Sequence, residues 1–476
     1  MGLSLLNSKF SEISKSHHLF SSYNFHNNSR EISLTKIPVE IRLGDLFDII
    51  SGYAFLSDDY VDEGTKLLRI GDIDKLGNIN YHEMNHLPKE FKDTYKRFLL
   101  QEGDIVIAMT GATIGKTGLV INLKEDVLLN QRVGIIRRKS FVNEEEARFY
   151  YYLTKTDYFK KQILLNSMGK SQPNVSPYDI LKVKVPKVNP DIQNVILETI
   201  TDYEGEIEKN KHNVKDTTSI IDEVFLRYFN LNAEKLKSYE KEKMLDLSLS
   251  SFSSNIDLRC SFKFHNPGGV YATDSLISIT NKKIKDFLEI PIQLGQGIKP
   301  AEFDEEGKQY YISMADIKTW GFNGQEAKFV TESYFKKYKK HKSLIKYDIV
   351  MARSGEGTIG KVALIKNDID GIFADFVMRI RLKNYNKKFA YYYFRTSFFQ
   401  YLIYTHKKGL GNNTNIFPSQ IQELPILDVD EGKHALVVSE IDKYLSIQEE
   451  INKEIEMNNN QIKKVMDNFI KNLGDL

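Results

Sequence analysis

Six stretches of this 476-residue chain occur twice, in the same order and at nearly constant separation. "YNFHN" (Tyr23–Asn27) returns as "FKFHN" (Phe262–Asn266), and "IRLGDLFDI" (Ile41–Ile49) returns as "KKIKDFLEI" (Lys282–Ile290). "LRIGDIDKLGNIN" (Leu68–Asn80) pairs with "YISMADIKTWGFN" (Tyr311–Asn323). "YKRFLLQEGDIVIAMTGATIGKTGLVI" (Tyr95–Ile121) pairs with "HKSLIKYDIVMARSGEGTIGKVALI" (His341–Ile365). "FYYYLTKTDYFKKQI" (Phe149–Ile163) returns as "FAYYYFRTSFFQYLI" (Phe389–Ile403), and "GKSQPNVSPYDILKVKVP" (Gly169–Pro186) as "GLGNNTNIFPSQIQELPI" (Gly409–Ile426). One matching pentapeptide is within chance; six in register are an internal duplication, and the fold must be one that each half can build.

Each half is mixed. Short β-branched runs such as "DIVIAM" and "RVGIIRR", broken by glycine turns, read as strands, and the aromatic stretches at 149–163 and 389–403 read as amphipathic helices. Each half then closes on a long helix. Ile196, Ile200, Tyr203, Ile207, Asn210, Val214, Thr217, Ile221, Val224 and Tyr228 step by four and three, the spacing of a coiled-coil seam. So do Val437, Ile441, Tyr444, Gln448, Ile451, Ile455, Asn458, Ile462, Val465 and Phe469. Polar seam residues fall at different heights in the two copies and read as devices that align one helix with the other. The expected organisation is α+β: a domain at 1–188, a spacer helix at 189–229, a charged then serine-rich linker at 230–256, a second domain at 257–428 and a second spacer helix at 429–476. The two spacer helices are expected to pair as an antiparallel coiled coil, with Ile200, Ile207, Asn210, Ile221, Ile441, Ile455, Asn458 and Ile462 in the seam.

Bulk properties narrow the function. With 66 basic and 64 acidic residues the net charge is +2, so any basic surface is local rather than a histone-like coat. The single cysteine, Cys260, excludes an internal disulfide framework and points to a reducing compartment. The N-terminal stretch lacks a secretory pattern and a myristoylation site, and no run has the length of a membrane span, so a cytoplasmic protein is expected.

The repeated glycine loops pose the sharpest chemical question. "TGATIGKTG" (Thr110–Gly118) and "RSGEGTIGKVALI" (Arg353–Ile365) look like phosphate-cradling loops, yet each fails that pattern differently. Gly111 and Gly115 are separated by three residues instead of four, and Val362 replaces the magnesium-binding hydroxyl in the second copy. Both are followed by strand-like runs where a phosphate loop requires a helix N-terminus. The histidines show no ligand spacing, one cysteine cannot build a zinc site, and no metal is expected. No proline-proline-aromatic tetrapeptide of an adenine methyltransferase is present, so no catalytic residues are assigned. DNA reading fits better, because Arg, Lys, Asn and Gln read base edges while lysines and bare amides hold phosphates. The candidate contacts are Thr110, Gly111 and Lys116, then Arg353, Ser354 and Lys361 in the two loops. The later turns add Lys170, Gln172 and Asn174, then Lys407, Lys408, Asn412 and Asn413. The bland alternative for each loop is a hairpin, and for "YFKKYKKHK" (Tyr334–Lys342) a solvated helix face.

Taken together, the "GD(I/L)" strand leading to a loop ending Ile-Gly-Lys (Gly103–Lys116, Tyr347–Lys361) and the "GKSQPN" turn before Val185-Pro186 resemble the specificity subunits of type I restriction–modification systems. The resemblance covers nearly the whole chain. It departs at the start of the spacer helices, where "PKVNPDIQ" keeps only Gln193 of the usual Glu-Gln and the second copy lacks it, so "GLGNNTN" is the looser match. The resemblance implies two target-recognition domains related by a pseudo-twofold axis and a bipartite DNA site with an unread gap. A helix of thirty-odd residues is roughly 50 Å long at 1.5 Å per residue. That is about one to one and a half DNA turns. It also implies partners: double-stranded DNA, two modification subunits that bind S-adenosylmethionine and methylate adenine, and ATP- and magnesium-dependent restriction subunits, with no cofactor in this chain. Two rival readings remain open here, a DNA-binding adaptor of another phage-defence system and a nucleotide-binding enzyme using the glycine loops.

Overall fold

The computed structural model describes residue 37 and residues 39–473, apart from 83, 168–173, 240–260, 318, 319, 323, 325, 326, 356 and 410–413. The first "YNFHN" copy, Cys260, Lys170, Gln172, Asn412, Asn413 and most of the expected linker therefore lie outside the described residues. The chain divides into two compact units, residues 1–214 with 451–476, and residues 215–450.

The first unit is built on a four-stranded antiparallel sheet in the order β1–β4–β2–β3, where β1 is Phe47–Ser51, β2 Ile105–Ala108, β3 Thr117–Leu119 and β4 Val133–Arg138. All four residues of β2 are buried because the sheet is covered on both faces. Strand alternation sends Ile105 and Ile107 into the core with the aromatic helices, and Val106 into a second core with Leu68, Leu129 and Ile135. That second core lies under a three-stranded sheet of Thr65–Leu68, Asn85–Leu87 and Val127–Leu129. The aromatic stretch forms two helices, α1 (Glu144–Thr154) and α2 (Asp157–Ser167), rather than one. Asn143 caps α1 by accepting from the Glu146 amide at 2.7 Å, and three glutamates fill its positively polarised first turn. Thr156 separates the helices, its hydroxyl donating to Leu153 and accepting from Phe159. Helix α3 (Pro190–His212) follows, with Asn189 as cap and proline at its first position.

The second unit repeats the plan. It opens with α4 (Thr217–Phe229) and the short α5 (Ala233–Ser238). Its sheet runs β5–β8–β6–β7, where β5 is Gln293–Leu294, β6 Ile349–Ala352, β7 Val362–Leu364 and β8 Val377–Ile380. Ile349 and Met351 face the aromatic core, while Val350 and Ala352 face the other. Its helices include α6 (Glu332–Lys342), α7 (Lys387–Arg395) and α8 (Ser397–His406), and Thr396 separates α7 from α8 as Thr156 separates α1 from α2. "YFKKYKKHK" lies in α6, with Tyr334 and Phe335 buried and the charged residues on the remaining face. The 42-residue helix α9 (Glu431–Asn472) contributes residues up to Glu450 to the second unit and the rest to the first.

The spacer expectation needs correcting in three places. Residues 189–229 do not form one helix: α3 ends at His212, and α4 restarts after Asp216, whose carboxylate accepts from the Ser219 amide at 2.9 Å. The seam position at the break, Val214, is 41% exposed. Next, α5 occupies the start of the expected linker, with Leu236 in the core of the second unit. Finally, the polar seam residues have different partners from one another. Asn210 donates to Glu454 at 3.1 Å, but Gln448 accepts from the backbone amide of Lys215 at 2.7 Å, within the break itself. Thr217 accepts from Arg395 of α7 at 3.0 Å, and Asn458 is half-buried. The apolar positions are buried in register: Ile200, Ile207, Ile455 and Ile462 share the core of the first unit, and Ile221 and Ile441 that of the second. Within the second unit the contacts 215 with 448 and 227 with 440 run in opposite chain directions, as antiparallel helices require.

Candidate nucleic-acid interface

Both glycine loops are hairpin connections. β2 pairs antiparallel with β3 and β6 with β7, so each Gly-Lys leads into a strand and the helix of a phosphate loop is absent from both places. The loops close identically. The Ala108 amide donates to Lys116 at 2.8 Å and the Gly115 amide to Ala108 at 2.9 Å; Ala352, Lys361 and Gly360 repeat this at 2.9 and 2.8 Å. Gly115 and Gly360 sit at φ of +78° and +82°, which a side-chain-bearing residue adopts only under strain. A Cβ on Gly115 would also come within 3.2 Å of Ile163 on α2.

Each loop is joined to the later turn of its own unit. Thr110 bridges Asn174, and the Val175 amide donates to Met109 at 3.0 Å. Ser354 bridges Asn415, and the Ile416 amide donates to Arg353 at 2.9 Å. Two segments singled out separately in the sequence thus form one ledge in each unit. Lys408 joins the second ledge through two backbone bonds to Asn415, of 2.7 and 2.8 Å, and the Lys407 ammonium lies 5.2 Å from the Tyr404 ring centre.

A neighbouring strand end supplies the rim. The Met109 amide donates to Arg132 and the Arg353 amide to Phe376, both at 3.0 Å. The first unit therefore presents an exposed cation, Arg132, beside a buried Met109. The second reverses the pair, with Arg353 held 5.6 Å from both Phe376 and Phe417, aromatic rings that are themselves exposed. Arg132 and Phe376 escaped the sequence reading because their nearness to the loops is created by strand pairing across the sheet, and Phe417 because the Ser354–Asn415 bridge brings its segment to Arg353.

The loop lysines are not equivalent. Lys116 turns inward and donates to the carbonyls of Ile70, at 3.2 Å, and Ile73. Burial holds its ammonium below the ordinary lysine range, with Asp74 opposing. Lys361 lies 5.8 Å from the Trp320 ring centre. The ledges carry the side-chain amides of Asn174 and Asn415, the hydroxyls of Thr110 and Ser354 and the cations Arg132 and Arg353, the kinds of group that hold phosphates and read base edges. Among the described residues no cluster of His, Cys, Asp or Glu could hold a metal, and no helix is long and apolar enough to cross a membrane.

The family model for the type I restriction modification DNA specificity domain matches this chain twice, at residues 38–215 and 278–457. The chain belongs to that family. Its first matched segment ends at Lys215, in the break between α3 and α4. It is 28% identical over 190 residues to the type I restriction enzyme MjaVIII specificity subunit of Methanocaldococcus jannaschii, across 38% of this chain and 44% of that protein. It is 30% identical over 141 residues to the EcoAI specificity subunit of Escherichia coli, across 29% and 22% of the two chains. The chain thus spans less than half the length of these curated relatives. Among solved structures, the S subunit of a type I restriction-modification system from M. genitalium superposes with a TM-score of 0.39 at 14% identity, covering 92% of this chain and 96% of that one. The HsdS subunit from Thermoanaerobacter tengcongensis gives 0.28 at 13% identity, covering 93% and 98%. The DNA specificity domain matched twice accounts for the duplication seen in the sequence.

Proposed function

We propose that this chain reads a bipartite, asymmetric DNA site, one half-site per unit, and directs adenine methylation and restriction by partner subunits. The observation that carries the reading is the repeated ledge, Thr110 with Asn174 and Ser354 with Asn415, set in equivalent positions of two units whose side chains differ. Equivalent scaffolds with different side chains are what two different half-sites demand. Thr110, Gly111, Asn174 and Arg132 serve the first half-site; Arg353, Ser354, Lys361, Lys407 and Lys408 serve the second. Helices α3, α4 and α9 form the spacer on which the modification subunits dock, S-adenosylmethionine and ATP with magnesium belong to the partners, and the complex acts in the cytoplasm without catalysis by this chain. Methylome sequencing of the host with and without the gene tests the reading. A split adenine-methylation motif that disappears with the gene supports it, and an unchanged methylome refutes it.

A further inference from the structure

A cavity of about 440 Å³ opens beneath the glycine loop of the first unit. Five lysines line it, Lys75, Lys116, Lys155, Lys160 and Lys463, together with asparagines of α9 and no carboxylate. Lys155 donates to the Leu76 carbonyl at 2.7 Å, Lys116 is held as described, and Lys463 pairs with Asp157 at 2.6 Å. The Lys160 ammonium has no hydrogen-bond or ion-pair partner among the described residues, and Lys463 and Lys155 both repel its charge. Burial lowers the pKa of Lys160 and Lys116 and brings Lys155 down to about 8, against the pull of Asp74, Asp157 and Asp467. Three carboxylates set against five ammonium groups leave the space with an excess of positive charge, which favours the entry of an anion.

The second unit resolves the same geometry differently. The turn carboxylates Asp72 and Asp316 accept equivalent backbone bonds, from Arg69 at 2.6 Å and Ser313 at 2.7 Å, which places Leu76 opposite Trp320, one residue out of the ungapped sequence pairing. The indole of Trp320 lies beside the counterparts of Lys116 and Lys155, with Lys361 at 5.8 Å and Arg395 at 5.5 Å from its ring centre. Where α2 carries Lys160, α8 carries Gln400, which donates to the Gly360 carbonyl at 2.9 Å and closes onto the loop. An aromatic ring and an amide thus stand in the second unit where the first has lysines and an open cavity.

We propose that the lysine-lined cavity of the first unit is a phosphate-binding site, taking either a backbone phosphate of the DNA or a free phosphate or pyrophosphate. Only the first of these sources rests on the DNA-reading function. The test titrates inorganic pyrophosphate into the full-length chain by calorimetry and measures duplex binding against salt, the latter with and without the modification subunits. The variants are Lys160→Gln, the residue of the second repeat, and Lys75→Thr on the exposed rim, with melting curves to verify folding. A free-phosphate site gives saturable one-site binding of pyrophosphate, weakened about tenfold or more by either variant, on the order of one opposite charge lost at short range. A DNA site instead leaves pyrophosphate weak and lowers the salt slope of duplex binding by about one in Lys160→Gln. Absent pyrophosphate binding together with an unchanged slope overturns the proposal. If the wild-type chain binds no duplex in either form, the DNA-reading function itself fails, and the pyrophosphate titration alone decides the cavity.

Discussion

Replacing Asp104 by alanine should unlock the strand that launches the first glycine loop. The Asp104 carboxylate is 3% exposed and receives three donors: Arg137 Nε at 2.8 Å, Arg137 Nη2 at 2.6 Å and the Gln101 amide at 2.7 Å. It therefore fixes both the turn entering β2 and the pairing of β2 with β4. Breaking a buried pair from one side costs about 3–5 kcal/mol, chiefly because the other charge is left without a partner. Arg137 keeps the Leu99 carbonyl at 2.9 Å and is 23% exposed, which puts the expected loss near the lower end, about 3 kcal/mol. That corresponds to roughly two powers of ten in the opening equilibrium. Hydrogen exchange on the full chain should show amides of β1–β4 losing protection by about this factor. The amides of β5–β8, held by the equivalent Asp348–Arg381 pair, should change little. The double variant Asp104→Leu/Arg137→Met should recover most of the loss, because an apolar pair of similar volume replaces the ion pair without a stranded charge. If Asp104→Ala lowers protection less than tenfold, or the double variant is worse than the single, the reasoning is wrong.

Three further outcomes are expected. Ile207→Asp and Ile221→Asp bury an unpaired carboxylate in different cores, so each should cost several kcal/mol and melt a different unit, read by exchange unit by unit. Lys116→Ala strands the Ile70 and Ile73 carbonyls and should destabilise the first unit by about 1–3 kcal/mol in denaturant unfolding, whereas Arg353→Ala should leave stability nearly unchanged and weaken duplex binding in a gel-shift titration. His434 packs 4.2 Å from Phe389, and burial lowers its pKa against the bond to Leu427 and the charges of Glu431, Asp428 and Asp430. The unfolded histidine then takes up its proton first, at a pH of about 6.5, so the second unit should lose stability as pH falls below that value and level off below the folded pKa. His434→Phe should flatten this slope in melts run across pH 5–8 (roughly the histidine window), and an unaltered slope would assign it elsewhere.

Strands and aromatic helices were legible because burial leaves a local signature, runs such as "DIVIAM" and rings repeated at helical spacing. The helix break was legible too, and missed: Asn213 and "DTTS" from Asp216 carry cap chemistry, but the unbroken apolar stepping outweighed it. The ledges were half legible. Both segments of each were identified as candidates, while their junction depends on bridges across about sixty residues of chain that no local pattern encodes. The destination of Lys116 was hidden for the same reason, since its carbonyl partners lie in a turn more than forty residues earlier.

The first unit is assembled from two separated pieces of chain, whereas the second is continuous. On the ribosome, where synthesis runs from the N-terminus at about 5–20 residues per second, the earlier-made piece must wait for residues 451–472 before Ile200 and Ile207 find Ile455 and Ile462. The continuous unit can close in the meantime. Maturation therefore runs against the order of translation, and during that interval the nascent chain shows an apolar helical stripe that a chaperone, or the matching helix of another nascent copy, can occupy.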